Sequence, residues 1–154
     1  MELVGQNGVV RRHPLLLTLT LAYLAVIGVI TLGPQPLDPD STSGLRLLID
    51  HISNTPFTAW ISYSLVEFLA NIAMFAPLGL LIALLSGARR WWAAILFGFA
   101  VSCMIEFSQL FLPTRVSDLR DIIANTLGTA LGVGIAWLIT QHMHAHSGVM
   151  RKRE

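Results

Sequence analysis

Charge is scarce in this sequence. Ten Lys and Arg with nine Asp and Glu amount to 12% of 154 residues, about half of what a soluble domain carries. With 54% hydrophobic residues and a mean hydropathy of +0.65, that scarcity excludes disorder and argues against a soluble domain. Cysteine is rarer still. The single Cys103 excludes an intramolecular disulfide and any Cys-based zinc or iron–sulfur site. A net charge of +1 gives no pull toward nucleic acid. There is no Gly-rich phosphate loop, no internal repeat and no low-complexity tract. A small integral membrane protein remains.

Four stretches reach the roughly 20 apolar residues that a transmembrane helix needs. They run over about 14–33, 66–85, 91–111 and 121–140. Between them, Ser86-Gly87 and Pro113 break the pattern, while 34–65 carries Pro34, Pro36, Pro39 and Pro56 and reads as one outer loop. The expected fold is all-α, a bundle of four transmembrane helices. Residues 1–13 form an N-terminal segment, 14–140 a single domain, and 141–154 a basic, His-containing tail. Within the loop, Leu45, Leu48, Ile49 and Ile52 recur at helical spacing, which fits a short amphipathic helix over 44–52 at the outer surface. Arg11-Arg12 before the first span resemble the start of a signal peptide. The apolar run is long for one, and no A-x-A-like site follows Gly33, so an uncleaved anchor is expected.

Orientation follows from the basic residues. The side holding the N-terminus receives Arg11, Arg12, Arg89, Arg90, Arg151, Lys152 and Arg153; the opposite side receives Arg46, Arg115 and Arg120. That bias predicts both termini in the cytoplasm. Trp91-Trp92 would anchor the inner interface, Trp60 and Tyr63 the outer one. Acidic residues fall the other way. Asp38, Asp40, Asp50, Glu67, Glu106, Asp118 and Asp121 lie on or near the outer side, and only Glu2 and Glu154 lie inside.

Ionisable groups within spans are costly and usually face a bundle interior or a water-filled cavity. Glu67 and Asn71 start the second span, Glu106 and Gln109 end the third, and Asp121 and Asn125 start the fourth. At about 1.5 Å of rise per residue, each pair lies within roughly 8 Å of the outer end of its helix. The spacings i,i+4 and i,i+3 place each pair on one helical face. On the fourth helix that face continues as Ala124, Gly128, Gly132 and Ala136; on the third it continues as Ala94, Gly98 and Ser102. Small residues every fourth position mark close helix contact in lipid. The polar groups are therefore expected to point inward and line one cavity between the second, third and fourth helices.

Two segments resemble the VanZ-like family of bacterial membrane proteins. One is Asn71-Ile-Ala-Met-Phe-Ala-Pro77-Leu-Gly79. The other runs from Glu106 through Gln109, Pro113, Arg115, Asp118, Asp121 and Asn125 to Gly128, and is similar to the family's E-x-x-Q, P-x-R-x-x-D-x-x-D and N-x-x-G pattern. The resemblance covers roughly 66–140. It implies a role at the cell envelope, connected by the family's name with resistance to teicoplanin, a glycopeptide antibiotic, without implying a reaction.

Simpler readings stand beside these. Glu106 is equally well a structural carboxyl. Asp118 and Asp121 suit the N-cap and first turn of the fourth helix. Asn71 and Asn125 suit interhelical hydrogen bonds. Arg115 is expected to reach Glu106, Asp118 or Asp121 when no ligand is bound, and its planar fork suits a phosphate or carboxylate. Cys103 reads as a packing residue, and His142, His144 and His146 as a solvated tail. Oxygen ligands from Glu67, Glu106 and Asp121 would be chemically allowed around a divalent cation, but nothing requires one, so no metal or cofactor is expected.

The candidate ligand-binding residues are thus Glu67, Asn71, Glu106, Gln109, Arg115, Asp118, Asp121 and Asn125. The leading function is a non-enzymatic envelope protein that binds a membrane lipid, a lipid-linked cell-wall precursor or an envelope protein at the outer leaflet, and so lowers glycopeptide susceptibility. A pyrophosphate would suit Arg115 and Arg120. The alternative is an intramembrane enzyme acting on a polyprenyl- or peptide-linked substrate with Glu106 as acid or base. His51, the sole candidate His on the outer side, is too little for a Ser-His-Asp centre. A third option is a small transporter, which would need oligomerisation; a homo-oligomer stays open in any case.

Overall fold

The computed structural model describes residues 14–33, 62–87, 90–113, 115 and 117–150, with side chains as far as His142. Four helices follow one another: α1 Pro14–Leu32, α2 Tyr63–Ser86, α3 Trp91–Gln109 and α4 Leu119–Met150. No strand occurs among the described residues. All four are long and apolar enough to cross a membrane, α4 over Leu119–His142, and 19 residues of helix span about 28 Å. The outward faces match that solvent. Leu15, Val29, Met104 and Phe111 are each about 70% exposed, an arrangement that water would penalise and hydrocarbon does not.

Local chemistry sets most helix ends. Pro14 opens α1, where its missing N–H costs nothing, and Gly33-Pro34 follow its end. Ser62 caps α2, its hydroxyl accepting from the Leu65 N–H. Gly87 ends α2 at φ 78°, the left-handed region in which a Cβ would be strained. Asp118 caps α4. Two ends differ from expectation. α2 begins at Tyr63, so the loop expected over 34–65 is three residues shorter at that end. α4 runs helical to Met150, and no Pro interrupts it. The stretch 44–52 lies outside the described residues.

α4 is the most enclosed span, and its small residues explain why. A Cβ on Gly132 would fall on the carbonyl oxygen of Ala76 and 2.6 Å from the Leu80 nitrogen, and one on Gly128 would fall on the carbonyl of Ile72. From the other side, Gly79 of α2 meets the backbone of Thr129. The backbones of α2 and α4 thus touch where side chains would otherwise hold them apart. α3 packs beside them, Gly98 lying against the Thr129 side chain. α1 joins through Ile27, Tyr23 and Leu24, which pack with Phe75, Leu78 and Ile105. Pro77 has no N–H to offer the Ala73 carbonyl, and close by, the Tyr23 hydroxyl donates to the Met74 carbonyl at 2.8 Å.

Candidate functional site

At the end of the bundle where α1 stops and α4 starts, the four helices surround a cavity of ≈ 170 Å³. Glu67 and Asn71 enter from α2, Glu106 and Gln109 from α3, Arg115 from the α3–α4 hairpin, Asp121 and Asn125 from α4. Seven of the eight residues named from the sequence therefore meet around one space. Asp118 is absent from the lining. Its side chain accepts the Arg120 N–H at 2.9 Å and so caps α4.

Nothing in the sequence points to α1 here, yet it supplies Ile30 and Thr31 to the wall. The cavity thus lies among four helices rather than three. Two side chains tie α1 down. Gln109 Nε2 donates to the Thr31 carbonyl at 3.0 Å. Arg115 Nη2 donates to the carbonyls of Ile30 at 2.8 Å and Gly33 at 2.9 Å. This corrects the expectation that Arg115 pairs with a neighbouring carboxylate. The last carbonyls of a helix lack intrahelical donors and form the negative end of its dipole. A guanidinium beside them satisfies two acceptors with one nitrogen, which the sequence, showing only side chains, does not reveal.

Glu106 is 4% exposed and engaged, its Oε2 accepting the Asp118 N–H at 2.8 Å. It fastens the end of α3 to the start of α4. Asp121 is half-buried, with the Asn71 side chain and the negative charges of Glu106, Glu67 and Asp118 nearby. Asn125 is 2% exposed; its Nδ2 donates to Ser102 Oγ at 2.8 Å, while its Oδ1 is buried without a partner. Ser102, which its spacing marks only as a small packing residue, is therefore also a hydrogen-bond partner. Arg120 turns away from the cavity: its guanidinium donates to Ser64 Oγ and lies 6.0 Å from the Phe68 ring. Among the described residues, no three His, Cys, Asp or Glu side chains are placed to hold a metal ion.

Beside the polar cavity lies an apolar groove of ≈ 180 Å³ between α1 and α3, lined by Ile27, Gly28, Leu32, Val101 and Met104 among others. Ile105 lines both spaces. A polar head and a hydrocarbon chain would thus find adjacent surfaces.

The VanZ/LLP1 family model matches residues 20–140 of this chain. Protein VanZ of Enterococcus faecium is 30% identical over 90 residues, 58% of this chain and 55% of that protein. The chain thus spans about half the length of this curated relative. No solved structure matches.

Proposed function

The chain belongs to the VanZ/LLP1 family, and from that premise we propose that it binds a lipid-linked envelope precursor at the outer leaflet and lowers susceptibility to teicoplanin-type glycopeptides. The observation that carries this reading is the juxtaposition at Ile105 of a polar cavity and an apolar groove. A ligand with a polar head and a long chain fits both together. In this proposal the chain sits in the bacterial plasma membrane with both termini cytoplasmic, supported by the excess of Lys and Arg on that side. The role is binding. Glu106 already serves the hairpin through the Asp118 N–H, a positional task that needs no proton transfer.

The test is expression in a teicoplanin-susceptible bacterial host, with the minimum inhibitory concentration measured for wild type and for Asn125→Leu, which fills the cavity wall with hydrocarbon. Wild type should raise the teicoplanin concentration required, and Asn125→Leu, inserted at equal level, should not. An unchanged value with wild type overturns the reading.

A further inference from the structure

The charge around the cavity has a sign. Glu67, Glu106 and Asp121 line it, opposed by Arg115 alone. Of the two arginines that would suit a phosphate, Arg120 is engaged with Ser64 and Arg115 gives its Nη2 to α1 carbonyls, its Nε remaining buried without a partner. What faces the space instead is an excess of acceptors. Carboxylates and amide oxygens accept hydrogen bonds and donate none. Two lining residues each hold a buried polar atom without a partner, the acceptor Asn125 Oδ1 and the donor Arg115 Nε, and with three carboxylates against one guanidinium the balance still favours a cation. A buried acceptor left unpaired is costly, and carboxylates clustered in a weakly polar medium repel one another. A phosphate would add acceptors and negative charge. A cation bearing N–H groups would relieve both costs. No three described His, Cys, Asp or Glu side chains are placed to hold a metal ion, whereas a hydrogen-bonding cation answers both the carboxylate charge and the unpartnered acceptor.

We infer that the cavity receives a primary ammonium group on an amphiphile, its N–H donors directed to Asn125 Oδ1 and to the carboxylates of Asp121 and Glu67. This rests on the proposed head-group role of the cavity and names the chemistry of its contact. The hydrocarbon chain of the same molecule lies along the α1–α3 groove, which adjoins the cavity at Ile105. Arg115 keeps α1 in place as the groove's wall.

The test uses the full chain in a nonionic detergent, with lipid retention measured by native mass spectrometry. Three short-chain probes are compared. Dihexanoyl-phosphatidylethanolamine carries phosphate and a primary ammonium; the phosphatidylcholine analogue keeps the charge but has no N–H; the phosphatidic acid analogue has no cation. The ethanolamine lipid should be held roughly tenfold more tightly than the choline lipid, the scale of hydrogen bonds to charged groups, and phosphatidic acid least. Asp121→Asn and Glu67→Gln should each shrink that preference; Glu67 is exposed, so its variant serves if Asp121→Asn fails to fold. Free ethanolamine is a separate arm: retention equal to that of the lipid would keep the ammonium site and assign it to soluble amines. Equal retention of all three lipids, or a preference untouched in the folded variants, overturns the ammonium contact and leaves the head-group reading standing. Retention of none of the three likewise overturns the ammonium contact, while the precursor reading stands or falls on the teicoplanin measurement.

Discussion

Arg115 shows how one side chain links distant parts of the chain. Its guanidinium sits on the C-terminal carbonyls of α1, more than eighty positions earlier in sequence. Removing it as Arg115→Ala leaves two acceptors and a helix dipole uncompensated. The expected loss is about 1.5–3 kcal/mol, as for hydrogen bonds involving charged groups, read as a lower melting temperature in detergent. Arg115→Lys should recover part of this, because the charge near the helix end survives while the fork is lost. Melting of Arg115→Ala like wild type would mean that the Gln109 hydrogen bond and the packing of Ile27 and Tyr23 suffice to hold α1. Ser102 offers a second test of comparable resolution. Ser102→Ala deprives the Asn125 amide of its acceptor, and interhelical hydrogen bonds in bilayers are worth about 0.6–2 kcal/mol. A loss in that range is expected, whereas a neutral result would remove Asn125 from the α3–α4 contact.

Among the helices, the contact between α2 and α4 depends on the absence of side-chain atoms. Gly132→Ala places a methyl group on the Ala76 carbonyl oxygen. Backbone on both sides cannot yield as a flexible side chain would, so the helices must separate. Overpacking of this kind costs about 1–3 kcal/mol. Gly134, two residues on, has nothing within 4 Å of the position its Cβ would take, so Gly134→Ala should be tolerated or slightly stabilising through its better helix propensity. Thermal melting of the two variants side by side checks this directly, and equal melting would place Gly132 away from α2. The same comparison separates a packing effect from a general intolerance of α4 to substitution.

For the whole molecule, the expectation is an even number of crossings with both ends on one side. Reporter fusions after Leu85 and after Thr140 should behave as cytoplasmic, and a fusion within Asp38–Ser43 as exported. Export from the C-terminal fusion would contradict the arrangement. The polar cavity then faces the outer leaflet, because α1 ends and α4 begins there. α1 is the least enclosed neighbour of that cavity together with α2, yet it forms part of the wall. An α1 displaced into lipid would open the cavity sideways toward hydrocarbon, the direction from which a membrane-borne ligand arrives.

Hydrophobic length and the depth of rare polar residues are readable from sequence because bilayer thickness imposes them on each helix separately. The four spans, the small-residue faces of α3 and α4, and the convergence of Glu106, Gln109, Asp121 and Asn125 at one level all follow from spacing along single helices. Asp118 as a cap is equally local. The partners of Arg115 and Gln109 are another matter. Both bond to main-chain carbonyls of α1, groups that every residue possesses and that no residue letter distinguishes. Which carbonyls lie within reach depends on how α1 is placed against α3, and that placement comes from Ile27, Tyr23 and Ile105 packing across the bundle. Tertiary structure alone therefore made α1 the fourth wall of the cavity, committed Arg115 to it, and left Asn125 Oδ1 without a partner.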